Sequence, residues 1–313
     1  MSRVSPPGAQ VRADQARPDR GISVADAQRR IQPWRVVVGV FLAITTTQIV
    51  MFLATNERFE WPVVAEYLFH RSVLTGLGMS IMLTIVCMTL GSLLGTVLAA
   101  GQLSEFLPLR LACIVFVGVF RGVPPLVQLI FWYNLAYLLP RISVQLPFGI
   151  GPEITGWSTN DLITPLTAAI IGLSLHQSAY MAEIIRAGIS SVDSGQRDAA
   201  AAMGFSRWHA FSRVVLPQAM RVILPPSGSQ VIALMKGTSL VSVIAMGDLL
   251  HAVQTIYNRT YDVVPMLIVA VIWYLVAVTL LTIAQRRVER YFSKGMVRTK
   301  ADPGMQLRGE RAT

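Results

Sequence analysis

The chain has 313 residues, of which 53% are hydrophobic and 14% charged, with a formal net charge of +10. A soluble domain of this size carries about a quarter charged residues, so the composition argues against an ordinary soluble enzyme. The positive charge alone would suit a nucleic-acid binder, but its distribution along the chain excludes that reading.

Uncharged runs occupy 36–54, 72–104, 122–140, 162–182 and 263–284, and a further apolar run at 222–247 carries Lys236 alone. Each is close to or above the ~20 residues that cross ~30 Å of hydrocarbon. The pattern predicts an all-α integral membrane protein with about six transmembrane helices. With the N-terminus inside, the inner segments (1–35, 101–111, 186–221 and 286–313) hold 21 of the 27 Lys and Arg, and the outer segments hold four. That bias places both termini in the cytoplasm. The excess charge is topogenic, and no nucleic-acid partner is expected.

Residues 1–35 are polar and carry seven Arg. They read as a basic cytoplasmic tail, disordered or lying on the surface, and not as a signal peptide, because the apolar run starts late. Residues 36–71 read as an extra N-terminal helix followed by an outer loop. The helix contains Thr45-Thr46-Thr47-Gln48, which suits packing or a substrate contact. The loop contains Trp61, Tyr67 and Phe69, which suit an interfacial belt. A core follows over 72–290. Its first span carries Gly91 and Gly95 at the spacing of close helix packing. Cys87 and Cys113 lack any metal or redox spacing and read as small buried residues.

The third span contains Phe120-Arg121-Gly122-Val123-Pro124-Pro125-Leu126-Val127-Gln128. A charge, a glycine and two prolines in an apolar run persist where neighbours or a wet cavity satisfy the freed polar groups. Arg121 and Gln128 either line the cytoplasmic end of a path, or pin its gate, or Arg121 snorkels to the inner surface. Residues 141–161 form an outer loop of little periodicity. In the fourth span His176, Tyr180 and Glu183 share one helical face, which suits a polar path lining. Glu183 and Arg186 also suit an interfacial ion pair, and His176 a satisfied core histidine.

Residues 190–217 form a polar connection with ordered composition. Asp193 and Gln196 have capping-box spacing, Ala199 begins a run of the best helix former, Gly204 suits a left-handed cap, and Ser206 caps a second short helix carrying Trp208, Phe211, Val214 and Val215. The expected product is helix, bend, helix on the inner face. In the fifth span, Lys236-Gly237-Thr238-Ser239 places a cation and hydroxyls in mid-span, a polar site by default. The sixth span reads as plain apolar packing with Trp273 and Tyr274. Residues 291–313 form a basic cytoplasmic tail that anchors to an anionic leaflet.

Asp198-Ala199-Ala200, with Gly204, Val214, Leu216 and Pro217 at their spacings, resembles the EAA loop of ABC-importer permease subunits. The segments from Arg121 to Gln128, from Ser178 to Ile189 and from Lys236 to Ser242 resemble the polar amino-acid branch of that family. The resemblance implies the ABC-importer permease fold. It also implies that Asp193, Gln196, Asp198, Ala199, Ala200, Gly204, Phe205, Leu216 and Pro217 couple the chain to an ATP-binding subunit. Arg121, Gln128, His176, Tyr180, Glu183, Lys236, Thr238 and Ser239 are the candidate substrate path. The implied partners are two copies of the ATP-binding subunit, an extracytoplasmic solute-binding protein, a second permease chain (identical or different) and the lipid bilayer of a bacterial inner membrane. This chain is not expected to be an enzyme. It contains no Gly-Lys dipeptide and so no phosphate-binding GxxxxGK[ST] loop; ATP and Mg belong to the partner, and no cofactor is expected here. The alternative is a stand-alone secondary transporter or channel for a small polar solute, but no internal repeat supports it.

Overall fold

The structure, a computed structural model, describes residues 32–144 and 155–292. The expected basic tails therefore lie outside the described residues over 1–31 and 293–313, as does the centre of the outer loop at 145–154. The chain divides into two units, one ending at Glu57 and the other beginning at Arg58.

The first unit contains helix α1 (Pro33–Thr55), which begins at a proline, where the missing N–H has no helical partner to lose. None of its residues is buried. The Thr47 hydroxyl donates to the Ala43 carbonyl at 2.8 Å, so this hydroxyl is satisfied within its own helix.

The second unit runs through α2 (Trp61–Leu68), α3 (Arg71–Gln102), α4 (Leu107–Gly122), α5 (Pro125–Tyr133) and α6 (Leu135–Leu138). Strands β1 (Arg141–Val144) and β2 (Thr155–Ser158) form an antiparallel pair with Arg141 opposite Ser158. Helices α7 (Thr159–Leu162), α8 (Pro165–Ser190), α9 (Ser194–Ala202), α10 (Arg207–Ala210), α11 (Leu216–Gly237), α12 (Leu249–Thr260) and α13 (Val263–Phe292) complete it.

Helix α8 is the centre, and α3 lies along it. Gly91 and Gly95 permit that approach: a Cβ on Gly91 would sit 2.8 Å from the Cβ of Gln177, and one on Gly95 2.7 Å from the Cβ of Met181. The main apolar cluster joins Leu83 and Cys87 of α3, Leu129 of α5, Leu173 of α8, and Val241 and Ile244 beyond α11. A second cluster joins Val64, Val73, Leu249, Val253, Met266 and Val269. Cys87 and Cys113 are both buried and free. Outward, Ile85, Leu93, Val97, Val115, Leu275 and Leu280 are exposed. So broad an apolar exterior is stable against lipid and not against water.

Among the described residues, α1, α3 and α13 are long and apolar enough to cross a membrane singly. Two further candidates are bent pairs. The expected third span is not one straight helix: α4 starts at Leu107, and α4 and α5 meet at 101°. The break follows from Pro124 and Pro125, which remove two helical donors and push the preceding residue out of the helical region; Val123 is extended (φ −92°, ψ 132°). The expected fifth span at 222–247 also needs correction. A helical rod begins at Arg207, passes through a π turn at Phe211–Val215 and a 3-10 turn at Thr238–Ile244, and then meets α12 at 46°. The second loop helix is therefore the entry turn of this rod. Residues expected as an outer connection at 247–262 are mostly α12, and those at 141–161 include the β1–β2 pair. Helix α8, at 26 residues, has the length of a span but carries His176, Gln177, Glu183 and Arg186.

Candidate functional site

The connection between α8 and α11 is a sharply defined bend. The Asp193 carboxylate caps α9 by accepting from the Gly195 N–H at 2.6 Å. The reciprocal half of a capping box is missing: among the described residues no bond returns from the Gln196 side chain, and Gln196 contributes its backbone N–H to the Asp193 carbonyl at 3.2 Å. Gly204 has φ +79°. Its N–H reaches the Ala201 carbonyl at 2.9 Å and the Phe205 N–H reaches the Ala200 carbonyl at 3.1 Å, which together form a Schellman cap. Ser206 then caps α10, accepting from the His209 N–H at 3.3 Å.

Ala200 is buried, and Val192, Val215, Ala219 and Ile223 form the cluster beneath the bend, with Ile185, Ile189 and Phe211 packed on it. Asp198 and Ala199 face solvent. Met203, Phe205 and Trp208 are exposed as well, three large apolar side chains within six residues of a polar connection. Leu216 and Pro217 open α11. A rigid bend with its apolar side chains facing outward is suited to docking another protein.

The second assembly joins α4, α5 and α8. Arg121, at the end of α4, lies 3.8 Å from the Glu183 carboxylate and stacks 5.5 Å over the Tyr180 ring. Arg186 closes on the same carboxylate from three residues along α8. His176 packs on Tyr180 with ring centroids 4.9 Å apart, and its Nδ1 lies 3.3 Å from the Gln128 amide nitrogen. Arg121, Gln128, His176, Tyr180 and Glu183 are thus one connected group.

Gln128 explains how the proline break is tolerated. Pro124 has no N–H for the Phe120 carbonyl, and the Gln128 amide donates to it at 2.9 Å and to the Val123 carbonyl at 2.8 Å. Because both partners are acceptors, the amide orientation is fixed. The Gln128 carbonyl oxygen is left buried with no partner among the described residues.

Lys236, Thr238 and Ser239 do not join this group. Lys236 is exposed, Ser239 donates to the Lys236 carbonyl at 2.8 Å, and the fully buried Thr238 donates to the Met235 carbonyl at 2.9 Å. Thr238 belongs to a different polar cluster, one the sequence reading missed. Asp248 is fully buried and caps α12, accepting from the N–H groups of His251 at 2.9 Å and Leu250 at 3.2 Å and from the Tyr274 hydroxyl at 3.3 Å. The Ser80 hydroxyl accepts from the Leu249 N–H at 3.1 Å. Span six is therefore more than apolar packing, and the Trp273 N–H also donates to the Leu68 carbonyl at 2.7 Å. The available signal was an Asp three residues before His251 at the head of an amphipathic run, a helix-start signature.

The fold combines apolar helices of membrane-spanning length with a sharply defined polar bend between α8 and α11. Residues 91–294 match the family of the binding-protein-dependent transport system inner membrane component, and the chain belongs to that family. It is a permease subunit of the ABC-importer type, as the resemblance of the Asp198–Pro217 segment implies. Among its relatives, the arginine transport system permease protein ArgU of Corynebacterium glutamicum is 35% identical over 85% of this chain and 83% of that protein. The glutamate/aspartate import permease protein GltK of Escherichia coli is 34% identical over 70% of this chain and 92% of its own length. A crystal structure of an amino acid ABC transporter with histidines contains a chain 34% identical to this one. It covers 70% of the present chain and 94% of its own, with a TM-score of 0.59.

Proposed function

We propose that this chain forms half of the membrane pathway of an ATP-driven importer of polar amino acids in a bacterial inner membrane. It crosses the membrane six times, through α1, α3, the α4–α5 pair, α8, the α11–α12 rod and α13, with both termini inside. The observation that carries the reading is the Schellman bend at Gly204 with Asp198, Met203, Phe205 and Trp208 displayed around it. Two ATP-binding subunits, holding ATP and Mg, press on this bend in each of two permease chains, and a solute-binding protein delivers substrate from outside. The relatives named for arginine and for glutamate/aspartate support the amino-acid class.

The Arg121–Glu183–Arg186 group forms the inner closure of the path. Helix α8 links it rigidly to the bend, because Glu183 and Arg186 lie on the last turns before Ser190. Movement of the bend is thereby carried to a charged lock within two turns of helix. Gln128, with an unpaired buried carbonyl oxygen, gains a hydrogen bond when a substrate ammonium or a rearranged side chain reaches it.

The deciding experiment is purification of the chain in mild detergent with its bound proteins, followed by reconstitution. ATP-dependent uptake of an amino acid by the reconstituted complex is the expected result. Uptake that proceeds from the isolated chain without ATP would sink the proposal.

A further inference from the structure

Three cavities follow one another along the groove between α11 and α13. The first, about 400 Å³, opens among Arg221, Arg286, Arg290 and Glu289. The second, about 290 Å³, shares Leu224 and Glu289 with the first and continues past Ser227, Gly228 and Ala284. The third, about 390 Å³, shares Met88, Val231 and Leu281 with the second and reaches Ala277 and Met235. Together they make one groove with a cationic mouth and an apolar floor.

Three properties of the groove select its occupant. Its length along α13, from Arg290 to Ala277, is about 20 Å at ~1.5 Å per residue, which is the depth of one leaflet of a bilayer ~40–45 Å thick. Its mouth carries three guanidinium groups and one carboxylate. That carboxylate accepts from the Gln285 amide at 2.6 Å, and the same amide donates to the Pro225 carbonyl at 3.2 Å across the groove. Arg221 and Arg286 form no ion pair among the described residues. Beyond the mouth the lining is almost wholly apolar, with Leu224, Val231, Leu281 and Met88 on its walls.

A cationic mouth above one leaflet depth of apolar groove matches an amphiphile with an anionic head. We infer that the α11–α13 groove is a specific site for an anionic phospholipid. The phosphate sits between Arg221 and Arg286, with Arg290 at the rim, and an acyl chain lies along Leu224, Ala284, Val231 and Leu281. Charge disfavours the two protein occupants available from this chain. Arg29 and Arg30 precede the N-terminal helix in the sequence and Arg35 lies in its first turn, so this helix would bring cations to a cationic mouth. A second copy meeting this face isologously would bring the same arginines. The site lies on the inner leaflet if the topology proposed above holds, and its existence does not depend on which solute is carried. The site also has mechanical reach, because α11 descends directly from the coupling bend.

The test uses the full chain with its partner subunits, stripped of lipid in detergent and then offered phosphatidylglycerol or phosphatidylcholine in equal amounts. Retained lipid is read by native mass spectrometry. Phosphatidylglycerol should be retained at one or more per permease chain in preference to phosphatidylcholine. The Arg221→Gln/Arg286→Gln double variant should retain about tenfold less. Ala284→Phe, which fills the groove from its exposed side and leaves every arginine in place, should lose the lipid as well, and this separates a groove from a general basic surface. Equal retention of the two lipids, or undiminished phosphatidylglycerol in either variant, overturns the inference. So does an Ala284→Cys disulfide to a second permease chain in native membranes, which would assign the groove to protein. ATP-driven uptake by the same wild-type preparation is scored separately, so a failed importer reading is distinguished from an empty lipid site.

Discussion

Arg121 and Glu183 meet at 3.8 Å across α4 and α8, and Arg186 shares the same carboxylate. The side chains are 31–43% exposed, so water screens them. Such pairs contribute about 0–1 kcal/mol. Glu183→Gln should therefore leave thermal stability nearly unchanged. It removes the carboxylate that Arg121 and Arg186 share, and under the proposed inner closure should raise ATP hydrolysis in the absence of substrate. Arg121→Gln should do the same, and the double variant should be no worse than either single one. A large drop in melting temperature would instead make this contact a stabilising element. Purely additive effects on hydrolysis would separate the two residues.

Gln128 predicts the opposite balance. It is buried and is the donor for the Phe120 and Val123 carbonyls at the α4–α5 break. Gln128→Leu keeps much of the volume and leaves both carbonyls without this donor, at about 1–3 kcal/mol for each buried group left unsatisfied. The melting temperature of the purified complex should fall by several degrees. Gln128→Glu should also destabilise, because a carboxylate cannot donate to either carbonyl. Wild-type stability in Gln128→Leu would mean that water or a shifted helix replaces the amide.

The bend between α9 and α10 was legible in the sequence because its determinants are local: Asp193, Gly204 and Ser206 act on backbone groups within a few residues, and short spacing records them. The group around Arg121 was half legible. Helical periodicity placed His176, Tyr180 and Glu183 together, while their approach to Arg121 and Gln128 depends on a 101° bend whose direction no spacing encodes. Lys236, Thr238 and Ser239 were grouped by adjacency, yet their helix turns Lys236 outward and Thr238 into the core. The Asp248 cluster was not legible. Its members, Ser80, Thr238, Asp248 and Tyr274, come from three separate apolar stretches and one connection, and no spacing along the chain relates them.

Gly204 tests the bend through its backbone alone. A Cβ there meets nothing within 4 Å, while its φ of +79° lies where L-residues pay roughly 1–2 kcal/mol. Gly204→Asn should be tolerated, since Asn is the other residue found at left-handed caps. Gly204→Val should leave insertion intact and reduce substrate-stimulated ATP hydrolysis sharply. Equal impairment of the two variants would assign the effect to side-chain bulk on this surface and not to backbone geometry, and wild-type hydrolysis in both would sink the docking role of the bend.

Asp248 gives the sharpest stability prediction. A carboxylate with no solvent exposure is bonded to two N–H groups that start α12 and to the Tyr274 hydroxyl on α13. Its backbone carbonyl also touches α3, where a Cβ on Gly76 would sit 2.7 Å away. Three elements therefore converge on one residue. Asp248→Ala removes the cap, at about 0.5–2 kcal/mol, and takes one buried partner from the Tyr274 hydroxyl, which keeps Thr238 and Ser80 beside it; that adds at most about 1 kcal/mol. Asp248→Asn keeps an acceptor for the cap and should cost less than half as much. Tyr274→Phe should cost less in the Asp248→Ala background than in the wild type, because the hydroxyl it removes has already lost its carboxylate partner there, so the pair is non-additive in a double-mutant cycle. Melting temperatures of the four proteins in one detergent decide it: additive losses would mean that the 3.3 Å contact contributes nothing, and α12 would then be held by its Asp248 cap, its bond to Ser80 and its apolar face at Leu249 and Val253.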